Sequence, residues 1–303
     1  MRIKKEKLLP LLGYTLFAVG AFLFFLYWTF PIESLERLAF KRVEADSGCR
    51  IKIAQRHLTL PLGLSGSGIA ASCPRKILGV ANGTGRVDLK IAALDLRLAP
   101  LPLLLKKEVQ VAFRAALGGG TLSGDLVMMR SEEGIVIGIQ SIEGKQVDLA
   151  ELGLGAAGRL SLKGDGTWLE KDVLKGSGQL HLTVENGRLS EIGGWTLPLG
   201  ELSFSKAEAQ LSWKDGRIDF DPFSLQGQMA DLQGERGNLL LRRPFDASLL
   251  TLSFQATPKG TIKEMAMLFV QGYNGRDPLN IRINGALRNI QLSVNGRSVP
   301  LGA

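Results

Sequence analysis

Two cysteines and two histidines are all that this 303-residue sequence offers to thiol or imidazole chemistry. Cys49 and Cys73 stand equidistant from Pro61, which lies between two strand-like stretches, Arg50–Thr59 and Leu64–Ser72. A hairpin centred on that proline sets the cysteines opposite each other, within the roughly 5.5 Å Cα separation that a disulfide needs. The alternative is a pair of buried thiols acting as small hydrophobes. The spacing favours the bridge, which would pin the first hairpin and would suit an oxidising compartment such as the bacterial periplasm.

The other candidates for chemistry are thin. His57 and His181 sit far apart in strand-like stretches, without metal-ligand spacing or a partner motif. Glu132-Glu133 and the pair Asp219 and Asp221 flank turns or alternate along strands, where solvated carboxylates are ordinary. Gly63-Leu64-Ser65-Gly66 begins like a nucleophile elbow, but Ser67 stands where the final glycine is required. Gly66-Ser67-Gly68 and Gly118-Gly119-Gly120 lack the lysine and the following helix of a phosphate loop. No catalytic residue, metal ligand or cofactor site is expected, and the chain reads as non-enzymatic.

The elements that carry these residues are mostly strands. There are 37 glycines and about 45% apolar residues, with aliphatic side chains outnumbering aromatic ones, a composition of many short strands and turns. Part of the formal charge of +8 is concentrated at Arg2, Lys4, Lys5 and Lys7. Beyond them no basic block is interleaved with aromatics, which argues against a nucleic-acid partner.

Leu8–Phe30 carries no charge and spans about 34 Å at 1.5 Å per residue, enough to cross a bilayer core. Tyr27 and Trp28 suit the far interface, and the basic residues before Leu8 favour a cytoplasmic N-terminus. The competing reading is a cleaved signal peptide, but the apolar run is longer than such a core and lacks a small-x-small site, which favours an uncleaved anchor. Ile32 to Glu44 reads as a short amphipathic helix, with Pro31 at its start and Ser47-Gly48 at its end. The expected organisation is a cytoplasmic tip and transmembrane anchor at 1–30, a stalk helix at 31–48 and a periplasmic β-domain at 49–303.

In that domain apolar residues recur with period two, the mark of half-buried strands. Val87 to Ile91, Val109 to Ala115, Leu180 to Val184, Ala209 to Trp213 and Leu250 to Ala256 are examples. Asp215-Gly216 is the strongest hairpin signal, and Asn186-Gly187 follows another strand. Helical periodicity is confined to Thr261–Gln271, with about one turn each near Pro102–Lys106 and Asp148–Leu152. Too few crossover helices remain for a parallel sheet. The expected fold is mainly β: a long, curved antiparallel sheet, half-barrel or groove-like, curled around its apolar side. Glycines inside strands, such as Gly124, Gly164 and Gly178, are expected to permit bulges and coiling. Val111, Phe113, Leu180, Leu182, Leu211, Trp213, Leu252 and Phe254 are the candidates for its apolar face, as an open groove or a closed core. Thr59–Gly63 recurs verbatim as Thr196–Gly200, a weak internal echo.

The order of these features resembles the type II secretion system protein N family, in its form with one anchor and a periplasmic β-domain. The matching parts are the anchor running into Phe30-Pro31, then Ser47–Ile51, Leu60–Leu64 and the glycine turn within Leu117–Gly124. Leu197–Leu202 before Lys214–Ile218 follows the same pattern, while Ile283–Asn289 is similar to the closing strand of AsmA-like proteins. The resemblance implies an inner-membrane subunit, with other secretion subunits as partners and no catalytic residues. The AsmA-like character implies a second role, a β-groove that binds or transfers phospholipid.

Overall fold

The computed structural model describes residues 48–303 apart from 60–62, 75–85, 107, 153–155, 190, 193–194, 197–201, 244–246, 271, 288 and 300–303, together with residues 17, 21, 41, 44 and 45. The anchor Leu8–Phe30, most of the stalk and much of the repeat at 59–63 and 196–200 therefore lie outside the described residues. Among the described residues no helix is long and apolar enough to cross a membrane. The chain divides after Arg50 into two compact units. In the first, the Gly48 N–H donates to the Glu44 carbonyl at 2.8 Å while Gly48 holds φ of 67°, a glycine end to the helix that precedes it.

The second unit is one antiparallel sheet of fifteen strands. In chain order these are β1 (Arg50–Thr59), β2 (Gly63–Pro74), β3 (Arg86–Ala99), β4 (Val109–Leu117), β5 (Gly120–Ser131), β6 (Gly134–Asp148), β7 (Ala156–Leu169) and β8 (Asp172–Leu189). They continue as β11 (Leu202–Lys214), β12 (Arg217–Gly227), β13 (Ala230–Leu240), β14 (Leu249–Pro258), β15 (Leu279–Ala286), β16 (Asn289–Val294) and β17 (Arg297–Val299). Two short strands, β9 (Glu191–Ile192) and β10 (Trp195–Thr196), pair only with each other. Each strand of the large sheet lies beside its neighbours in sequence, so the sheet is an uninterrupted meander. Among the described residues of this unit the helices are α1 (Pro100–Leu105) and α2 (Gly260–Phe269), with a 3-10 turn at Ala150–Leu152, close to where helical periodicity placed them.

Tight turns set the register. Asp215 and Gly216 have φ of 48° and 79°, Gly118 and Gly119 of 55° and 66°, and Asn295 and Gly296 of 49° and 80°. Positive φ at both central residues is the two-residue turn whose twist matches its strands. Asn186-Gly187 is different: β8 runs straight through it to Leu189, and Asn186 (φ 50°) is absorbed inside the strand.

Cross-strand pairing places one unbroken apolar row across the sheet. Leu64 pairs with Leu96, then Phe113, Gly124, Ile142, Gly164, Leu180, Leu211, Phe220, Gly237, Leu252, Ile283 and Leu292 follow in turn. Every position is apolar or glycine. The glycines act as sockets: a β-carbon at Gly124 would fall 2.9 Å from the Phe113 ring, and one at Gly164 the same distance from Leu180. Phe223 and Phe254 meet edge to face above Gly234, their ring centres 6.0 Å apart. A flat ring laid over a glycine on the next strand restores the cover that glycine lacks. Strand glycine therefore serves packing here more than bulging, although Gly158 and Gly285 do hold φ near 128° beside register shifts or strand ends.

Candidate binding face

All eight residues expected on the apolar side share one face. Phe113, Leu180, Leu211 and Leu252 stand in the row just described. Val111 and Trp213 belong to the adjacent row, with Leu126, Ile139, Ile218 and Leu250. Leu182 and Phe254 belong to the row on the other side, with Leu162, Ala209, Phe223 and Ile281. Each of the eight is half-buried, neither sealed nor free. Among the described residues the buried apolar side chains are Ile69, Val87, Ala115, Val127, Val147, Phe204, Ala256 and Leu279, too scattered for the interior of a two-layer domain. No second layer covers the rows among the described residues.

The opposite face is polar. Asp95, Arg114, Ser123, Glu143, Lys163, His181 and Gln210 form one row across seven strands. A cavity of about 710 Å3 opens on this side, lined by these residues and by Arg97, Asp125, Asp165 and Gln179. Gln179 donates to Asp165 at 2.8 Å, and Ser141 to Asp125 at 3.2 Å. This hollow is not on the side around which the sheet was expected to curl. A twisted sheet is saddle-shaped, so each face is hollow along one diagonal.

On the same polar face Lys206 and Glu208 form an ion pair at 2.7 Å. The hydrogen bond between them, with their mutual attraction, raises the Lys206 ammonium and lowers the Glu208 carboxyl from their ordinary ranges. Their side chains are 43% and 40% exposed, so water screens the pair and it contributes little to stability.

Both cysteines are disulfide-bonded, and as the chain has two they bridge each other. Cys49 immediately precedes β1 and Cys73 lies in β2, its neighbour in the sheet, as the spacing about Pro61 required. His57 and His181 are exposed on β1 and β8. Glu132 and Glu133 form the β5–β6 turn, and Asp219 accepts from Arg217 at 2.8 Å. Gly63 to Gly68 lies within β2, without the strand-to-helix turn of a nucleophile elbow. Among the described residues no three or more His, Cys, Asp or Glu come together as a metal site. What the arrangement offers is surface chemistry: an apolar face on one side and a mixed-charge hollow on the other. The chain matches no protein-family model, no curated protein and no solved structure.

Proposed function

We propose that this protein is a non-enzymatic inner-membrane subunit of the type II protein secretion system. Leu8–Phe30 holds it in the membrane with the N-terminus cytoplasmic, and the sheet stands in the periplasm as a scaffold for other subunits. The observation that carries this reading is the wide sheet with an uncovered apolar face, a surface suited to binding rather than to turning over a substrate. The order of anchor, Ser47–Ile51 and the glycine turn after Leu117, with its resemblance to the protein N family, supplies the system.

A second reading is favoured by one specific feature. The apolar rows are unbroken from β2 to β16 and their side chains are half-buried. An apolar surface of that kind suits acyl chains, which need apolar contact without hydrogen-bond partners, if the sheet curls into a half-barrel or groove around it. In that case the protein is an AsmA-like lipid-binding or lipid-transfer protein.

Photo-crosslinking of the full chain in native membranes separates the two. A benzophenone side chain at Phe113 or Leu252 probes the apolar face, and one at Gln179 probes the polar side. A secretion scaffold yields adducts that mass spectrometry identifies as other secretion subunits. A lipid carrier yields adducts that retain labelled phosphate. Equal labelling at Gln179, or no adduct at either apolar position, defeats both.

A further inference from the structure

The chain enters the sheet at its margin. Strand β1 has a single strand neighbour, β2, and Arg50, Lys52 and the run Ala54–His57 are exposed on it. Strand β2 offers little side-chain cover in return, because Gly63, Gly66 and Gly68 interrupt it. A margin strand of this kind is held mainly by its backbone hydrogen bonds to one partner. Tension applied at Arg50 would break those bonds one after another.

The disulfide offers tension another route. Cys49 immediately precedes β1, and its sulfur is bonded to that of Cys73 near the end of β2. The shortest covalent path into the sheet therefore runs through the two sulfurs, and the backbone from Arg50 to Ser72 is a longer branch beside it. Cys73 is held more firmly than Arg50. It pairs with Val87 of β3, which is 7% exposed, and Ile69, four residues earlier on β2, is 4% exposed. The pairing runs on to Pro74 opposite Arg86. The Arg86 guanidinium reaches back across the two strands, Nε donating to Ser72 Oγ at 3.0 Å and Nη2 to the Ser72 carbonyl. Hydrogen bonds from an ionised donor are the stronger kind.

We infer that the Cys49–Cys73 bridge is a tension bypass. A pull on the chain before Cys49 enters the sheet at Cys73, opposite Val87 and beside the Arg86–Ser72 clasp, and the first hairpin carries none of it along its backbone. In the reading proposed above the membrane segment supplies the pull. The route itself is set by covalent connectivity and by the pairing of Cys73, so it holds for any source of tension. Loop-closure stabilisation is a separate effect, since it acts on the unfolded chain and directs no force through the folded one.

Single-molecule pulling on the full chain in detergent tests the route. One handle is attached at Ala45→azidophenylalanine, an exposed position, and the other at the C-terminus, so neither uses a thiol and the membrane segment is not in the path. Excess dithiothreitol then reduces the bridge in the folded protein: its two thiols close to a cyclic disulfide while Cys49 and Cys73 each gain a hydrogen. Reduction should add a first, low-force step of roughly 40 Å, the length of β1 and its turn at about 3.3 Å per residue. The oxidised chain should lack that step and yield first at a higher force. Cys49→Ser combined with Cys73→Ser should reproduce the reduced trace without reductant. Arg86→Met should lower the first force of the oxidised chain and leave the β1 step of the reduced chain unchanged, a split that stabilisation through the unfolded state alone would not produce. The inference is overturned if both redox states first yield at the same force and extension, or if β1 is the first strand released from the oxidised chain. It is also overturned if Arg86→Met moves both states alike. A reduced chain with no folded sheet left to pull overturns it too, since the bridge would then hold up the whole fold and not its point of entry.

Discussion

The indole of Trp213 on β11 lies across Gly178 on β8 and reaches Gly166 on β7, so that one side chain spans three strands. A β-carbon at either glycine would collide with the ring. The pair behaves as a lock whose two halves have little value apart.

Gly178→Val should therefore lower stability by about 1–3 kcal/mol through overpacking. In Trp213→Ala the same glycine substitution should cost less, the remainder coming from the Asp165 carbonyl that a β-carbon there also meets, and that non-additivity is the diagnostic result. Denaturant titration of the full chain in detergent gives the cycle. Gly216→Ala is a useful contrast: its φ of 79° is unfavourable for alanine, but its nearest neighbours are 3.8 Å away, so only about 1 kcal/mol of backbone cost is expected. Strict additivity in the Trp213–Gly178 cycle would remove the lock.

Half-burial limits what the apolar face contributes to folding. Phe113→Ala should cost about 1–2 kcal/mol, well below the 3–5 kcal/mol of a sealed phenylalanine. Val127 is only 1% exposed, so Val127→Ala should cost nearly as much despite its smaller side chain. Thermal unfolding of the two variants makes the comparison. A Phe113→Ala loss of 4 kcal/mol or more would mean that something covers the face.

The disulfide closes a loop between residues 49 and 73 and restricts the unfolded chain. Reduction should cost about 3.5 kcal/mol on the loop-entropy scale, and Cys49→Ser, Cys73→Ser and the double variant should lose the same amount. Maleimide labelling of the native, unreduced protein should find no thiol. Labelling of both residues would leave two free cysteines instead.

The Lys206–Glu208 pair gives a pH signature with a defined sign. The raised lysine adds stability that is present below its unfolded pKa and is lost as pH rises through the folded value. The lowered carboxyl adds stability present above its unfolded pKa and lost as pH falls through the folded value. Both contributions are in place across about pH 5 to 9, and both are weakened by solvent and salt. Melting temperatures of Lys206→Met and Glu208→Gln should match wild type there within error, and a marked drop at neutral pH would show that the pair is not solvated.

Much of the fold was legible because antiparallel strands advertise themselves locally. Alternation in Val109–Ala115 and Leu250–Ala256 identified the face, and Asp215-Gly216 and the run from Thr261 supplied a turn and a helix. Asn186-Gly187 looked like a chain reversal by the same logic, but β8 continues because Gly187 is the socket for the Phe204 ring of β11. The partner of a socket lies on another strand, so composition alone could not separate it from a bulge. Whether the rows were covered was equally invisible, since alternation reports that one side is apolar and not what meets it. The polar hollow depends on twist accumulated over strands as long as β8, a property that no short window contains.

The meander has one more consequence, for how the molecule comes into being. Each strand after β1 needs only its predecessor as a template, apart from the small detour through β9 and β10. A chain built from its N-terminus could lay down one hairpin after another as it emerges, since no early strand waits for a distant mate. Loop-closure entropy stays low throughout. Strand β1 stays at one margin throughout; at the other the edge is always the newest strand, so vulnerability to wrong pairing there travels along the growing margin and comes to rest at the three-residue strand β17.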